Sequence, residues 1–101
     1  MAVLIQAMTS PGAWVQLGPI TQAGAYTLNI TNGDTAADTV QIALMAAAGT
    51  PSAANLINAG SSIPIGGVLA RWPLALDVGY CVYVKSTSGN CSVTLNGRQG
   101  A

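Results

Sequence analysis

The chain has 101 residues, 50% of them hydrophobic and 6% charged, with zero formal net charge and no histidine. A chain of this length builds one hydrophobic core, so a single domain over 1–101 is expected. Ordinary domains carry roughly 25% charged residues, whereas here Asp34, Asp38, Asp77, Arg71, Lys85 and Arg98 are the only ionised side chains. Three scattered cations cannot form a nucleic-acid footprint or grip an anionic membrane surface, and the weak charge repulsion favours association into assemblies.

In chain order, the opening MAVLIQAMTSPGA is apolar but has no basic n-region, so it reads as a first strand, AVLIQAM, and not as a secretory signal. A second short strand, AWVQL, surrounds Trp14. The segment AYTLNITN alternates Tyr26, Leu28 and Ile30 against Thr27, Asn29 and Thr31, and TVQIALMA sets Val40, Ile42 and Leu44 against Gln41 and Ala43. Both patterns predict strands with one buried face. NGDTAAD between them supplies turn residues, and a hairpin is expected.

Residues 39–70 are uncharged, but Gly49, Pro51, Asn55, Asn58, Gly60, Pro64, Gly66 and Gly67 interrupt any membrane-length apolar run. Pro51 and Ser52 open SAANLIN, which predicts a helical connector of at most two turns near residues 52–58. SSIPI near Ile63 and GGVLARW around Leu69 are further strands. In the latter, Leu69 and Arg71 share a parity that Ala70 and Trp72 oppose, so Arg71 faces the core if Leu69 does.

The last pair of alternating runs, around the turn in YVKSTSGNCSVTL, predicts a hairpin with Val84 opposite Cys91 and Val82 opposite Val93. Tyr80, Val82, Val84, Cys91, Val93 and Leu95 then share the core face, and Cys81, Tyr83 and Lys85 the other. Cysteines on opposite faces cannot meet disulfide geometry. Cys91 is expected as a small buried hydrophobe, and Cys81, where it reaches solvent, as a thiol able to bridge to another subunit. About seven short strands in all predict an all-β antiparallel sandwich or barrel.

Chemistry is sparse. Lack of histidine removes the commonest general base and metal ligand together. Zinc would need two cysteines that face apart plus distant aspartates. Asp34 and Asp38 sit in a predicted turn, where capping accounts for both. No phosphate loop is present, and the sequons at Asn29 and Asn90 carry little meaning without a signal peptide. No enzyme activity, metal or cofactor is expected. Trp14 and Trp72, the largest side chains, are each a core anchor or an interface anchor, and Tyr83 stands equally between those roles.

The strings LNITNGDTAADTVQIAL, NLINAGSSIPIGGVLAR and LALDVGYCVYVKSTSGNCSVTLNG resemble a group of small virion proteins of tailed bacteriophages, over about residues 26–97. The resemblance implies an immunoglobulin-like antiparallel β-sandwich, present in many copies as a capsid decoration or cement-type subunit. The alternative is a neck, tail or fibre component that recognises the host surface. Implied partners are copies of itself and other phage structural proteins (major capsid, neck or tail), with no nucleic acid and no membrane. The implied location is the virion, after synthesis in the bacterial cytoplasm. The chain departs from the family pattern at WVQLGPITQAG and at its end, Arg98 to Ala101, where such a sandwich touches its neighbours. Candidate interface residues are therefore Trp14, Trp72, Cys81, Tyr83 and Arg98.

Overall fold

A computed structural model describes residues 2–99, with the side chains of Ala2, Val3, Trp72, Pro73, Arg98 and Gln99 outside the description. Eight strands follow one another: β1 (Ala2–Met8), β2 (Val15–Leu17), β3 (Gly24–Asn32), β4 (Asp38–Met45), β5 (Leu56–Ile63), β6 (Val68–Leu76), β7 (Cys81–Ser86) and β8 (Cys91–Gln99). They form two four-stranded antiparallel sheets, in the orders β1-β8-β3-β6 and β2-β7-β4-β5. The expected two-sheet sandwich is thus the fold.

The alternation read from the sequence sets the inner faces. Tyr26, Leu28 and Ile30 of β3 and Cys91, Val93 and Leu95 of β8 pack across the interior on Val40 and Ile42 of β4 and Val82 and Val84 of β7. Leu17, Ile20, Ile63 and Leu76 close the margins of this core. Each fully buried Leu, Ile or Val contributes about 1.5–3 kcal/mol relative to exposure. Gly97, at the inner-face parity of β8, leaves room for the Tyr26 ring: a Cβ there would stand 2.5 Å from Tyr26 Cδ2. The Tyr26 hydroxyl donates to Gln22 O at 2.7 Å, which fixes the ring. On the outer face of the same sheet, the row Gln6, Thr94, Asn29, Ala70 and the row Met8, Ser92, Thr31, Val68 run straight across all four strands. The hydroxyl and amide side chains of Gln6, Thr94, Asn29, Ser92 and Thr31 suit a pleated surface facing water, while Met8 and Val68 at the two edges of the sheet are apolar and exposed.

Strand pairing departs from expectation. β3 and β4 lie in opposite sheets, as do β7 and β8, so both expected hairpins are instead crossings from one sheet to the other at the end of the sandwich. Alternation marks which side chains face the interior, but both sheets present such a face to the same core. Only β4 and β5 are neighbours both in sequence and in space; every other connection changes sheet. That order is the double Greek key of an eight-stranded jelly roll. It is not the immunoglobulin order, in which the last two strands pair side by side.

The helical connector is also corrected. Only Ala53–Asn55 form a single 3-10 turn, closed by Asn55 N–H to Ser52 O at 3.0 Å and Ser52 N–H to Asn55 Oδ1 at 2.9 Å. Leu56 and Asn58 already pair with Ala43 and Ile42. Pairing along β4 satisfies this backbone better than two isolated helical turns, which are marginal in water. Arg71 takes the inner-face parity read from the sequence: opposite Leu28 at the sheet edge, it reaches across to donate to Ile57 O of β5 at 3.3 Å. Among the described residues no helix is long and apolar enough to cross a membrane.

Candidate functional site

The buried polar side chains Thr9, Asn32, Asp38 and Ser86 gather at one end of the sandwich. There the crossings between β1 and β2, β3 and β4, β5 and β6, and β7 and β8 come together. Each of the four residues continues the inner-face parity of its strand, Asn32 after Ile30, Asp38 before Val40, Ser86 after Val84 and Thr9 after Ala7. That shared parity was the signal in the sequence: polar residues at core positions, at strand ends.

Burial obliges each of them to find partners. Asn32, 2% exposed, donates from Nδ2 to Ala36 O and Ile63 O, both at 2.9 Å, and to Pro64 O at 3.3 Å, while its Oδ1 accepts from Asp34 N–H at 2.8 Å. One amide therefore ties two crossings together. Thr9 and Ser86 hydroxyls meet at 3.2 Å; Thr9 Oγ1 accepts Cys91 N–H at 3.0 Å, and Ser86 Oγ accepts Gly89 N–H at 2.7 Å. The turn after β7 needs left-handed backbone at Gly89 (φ 82°) and Asn90 (φ 58°), conformations that Gly and Asn reach most easily.

Asp34, Asp38 and Cys91 bring two carboxylates and a thiol within 4.8 Å of one another, a meeting that turn capping alone did not foresee. Asp38 is 1% exposed. Its Oδ1 accepts the Thr87 hydroxyl at 2.8 Å and Ser88 N–H at 3.1 Å, and its Oδ2 accepts the Cys91 thiol at 3.3 Å. Burial pushes its carboxyl pKa up, but the bonds from Thr87, Ser88 and Cys91 outweigh burial and hold it well below the ordinary range. Asp34 Oδ1 accepts Asn90 Nδ2 at 2.9 Å, and its Oδ2 is shielded with no hydrogen-bond partner among the described residues. Burial, followed by the neighbouring Asp38 carboxylate, pushes the Cys91 thiol up, so it stays a neutral donor and a poor nucleophile. Donors of its own chain satisfy Asp38, and the arrangement acts as a clasp holding the crossings in place.

The candidate interface residues divide. Trp14, Cys81 and Tyr83 meet on the outer face of the second sheet, where Cys81 and Tyr83 are buried with Ala43 under Trp14, Met45 and Leu56. Cys81 does not reach solvent, and burial pushes its thiol pKa up. Tyr83 anchors its own chain: its hydroxyl accepts Gly49 N–H at 2.9 Å and donates to Gln16 Oε1 at 3.2 Å. Trp14 is half-buried, with Lys85 Nζ 4.7 Å from its ring centroid, a cation–π contact. The side chains of Trp72 and Arg98 lie outside the described residues. Both described cysteines are free.

An open groove of about 330 Å3 beside this cluster is lined by Gly12, Thr39, Gln41, Ala59, Lys85, Ser86 and Thr87, with Lys85 its only ionisable group. The remaining surface is more telling: Leu4, Met8, Ile65, Val68 and Val78 are large, apolar and exposed. Comparison with protein-family models, with curated proteins and with solved structures finds no match.

Proposed function

We propose that the chain is a structural virion protein of a tailed bacteriophage, a multi-copy capsid decoration or cement-type subunit that works by fitting against copies of itself and other virion proteins. The observation that carries this reading is the surface. A body with six ionised side chains presents Leu4, Met8, Ile65, Val68 and Val78 to solvent, so docking buries apolar area while desolvating few ions. The clasped loop end adds support, because a preorganised subunit loses little freedom on binding. Repetition over symmetric contacts multiplies a weak individual contact into firm attachment. The residues that carry the resemblance to phage virion proteins include the clasp itself, Asn32, Asp34, Asp38 and Asn90.

The test is quantitative mass spectrometry of purified particles of the phage that encodes the chain. Many copies per particle are expected for a shell-bound subunit, whereas a single ring's worth would move it to the neck or tail. Absence from particles would overturn the proposal.

A further inference from the structure

Each sheet has two edges, β1 and β6 in one and β2 and β5 in the other. A bare edge is a row of unpaired N–H and C=O groups that templates another strand, and natural sheets blunt it by shortness, bulges, proline or charge. Three of the four edges carry such devices. β2 is three residues long. β5 slips register twice against β4 and contains Gly60. β6 contains Arg71 and Pro73, which offers no N–H, and has a bulge where Trp72 and Pro73 together oppose Thr27. β1 has none of them: AVLIQAM is seven residues without charge, proline or glycine, in unbroken register with β8 from Ala2 to Met8.

The ladder fixes which groups β1 offers. Thr9 N–H donates to Cys91 O at 3.0 Å. Bonded and non-bonded pairs alternate along an antiparallel ladder, so Ala7 and Ile5 also bond β8, and the backbone groups of Leu4, Gln6 and Met8 point to the free edge. The same three residues place their side chains on the outer face, all exposed, Leu4 at 58% and Met8 at 57%.

We infer that β1 is a self-pairing edge: two copies of the chain join antiparallel through β1 about a two-fold axis at Gln6, fusing their sheets into one. Positions 4, 6 and 8 read apolar, amide, apolar in both directions. An antiparallel copy therefore sets Leu4 against Met8 of the second copy on either side of the axis, and Gln6 against Gln6 at the centre. Cross-strand apolar and amide pairs of this kind are favourable. Nothing repels, since residues 4–8 and the adjoining 92–96 contain no ionised side chain. An isologous contact of this kind closes on itself and leaves no further edge of the same type to grow a fibre. One edge pairing falls short of the ~1,200 Å2 of a standard interface, so dissociation on the order of micromolar is expected. The inference rests on the assembly half of the proposed function and does not require a phage particle.

The test is a cysteine cross-link. Gln6→Cys should give a disulfide-linked dimer under mild oxidation, because bonded antiparallel pairs hold Cα atoms about 5.5 Å apart. Ser92→Cys, a thiol exposed on the same face one strand inward, should not. In sedimentation velocity the unmodified chain should dimerise, and Gln6→Lys, which opposes like charges on the axis, should weaken dimerisation at least about tenfold, leaving the melting curve of the monomer unchanged. A chain that associates while Gln6→Cys fails to cross-link and Gln6→Lys changes nothing overturns the edge but leaves assembly standing. A strict monomer at about 100 µM overturns both.

Discussion

Replacing Asn32 by Asp alters one atom's chemistry and almost no volume, which isolates what its amide does. Nδ2 donates to Ala36 O and Ile63 O, each at 2.9 Å, and more weakly to Pro64 O. A carboxylate there would lose those bonds and turn an unpaired negative oxygen toward the same carbonyls, while its other oxygen kept the bond from Asp34 N–H. Two lost bonds cost about 1 kcal/mol each, and an uncompensated buried charge costs more, so a loss of about 3–5 kcal/mol at pH 7 is expected. Against the usual 5–15 kcal/mol of a native domain that is a large fraction. The loss carries a pH signature. Held among carbonyls, the new carboxyl has a folded-state pKa above its unfolded value, so the deficit shrinks toward acid pH, where the protonated group can donate one bond again. Urea unfolding of both proteins at pH 7 and at pH 4, each compared at the same pH, measures it. A deficit below about 1 kcal/mol at pH 7, or one that does not shrink in acid, would refute the role given to this amide.

Gly97→Ala should overpack the site where Tyr26 Cδ2 would lie 2.5 Å from the new Cβ, lowering stability by about 1–3 kcal/mol, measurable as a fall in Tm. An unchanged melt would mean that the Tyr26 ring is not held there. Cys81 and Cys91 are buried and free, so a thiol reagent should find neither in the native protein and both after denaturation. Both thiols have folded pKa values raised above 9.0. Their contribution is therefore fully present below that pH, and stability should fall as pH rises beyond it, a trend that Cys81→Ser should weaken.

Much of the architecture was legible from alternation. The strands around Tyr26, Val40 and Val82 and the inner-face set of Val84, Cys91, Val93 and Leu95 occur where the period-two pattern puts them. Partner choice was not legible. The stretches after Asn32 and after Ser86 contain the residues of tight turns, yet the chain uses them to change sheets, and what holds Asn32 there is the carbonyl of Ile63, 31 residues away. A local pattern carries no record of such a partner. Cys81 illustrates the same limit. Its parity directs it away from the core, but Trp14, Met45 and Leu56 cover that outer face, so facing outward does not mean meeting water. The clasp residues were readable one by one, as polar side chains at core parity. Their convergence depended on crossings that the expected hairpins would have removed.

The position of β8 between β1 and β3 has a consequence for how the molecule comes into being. Until residues 91–99 leave the ribosome, that sheet exists only as two halves with a vacant slot, and β1 is bare along both of its margins. The hydrogen bond from Cys91 to Thr9 spans 82 residues, so the final closure is a long-distance one, and slow maturation follows from chain topology. In any cell that makes the chain, chaperone protection of that unfinished sheet would govern yield as much as the stability of the finished molecule.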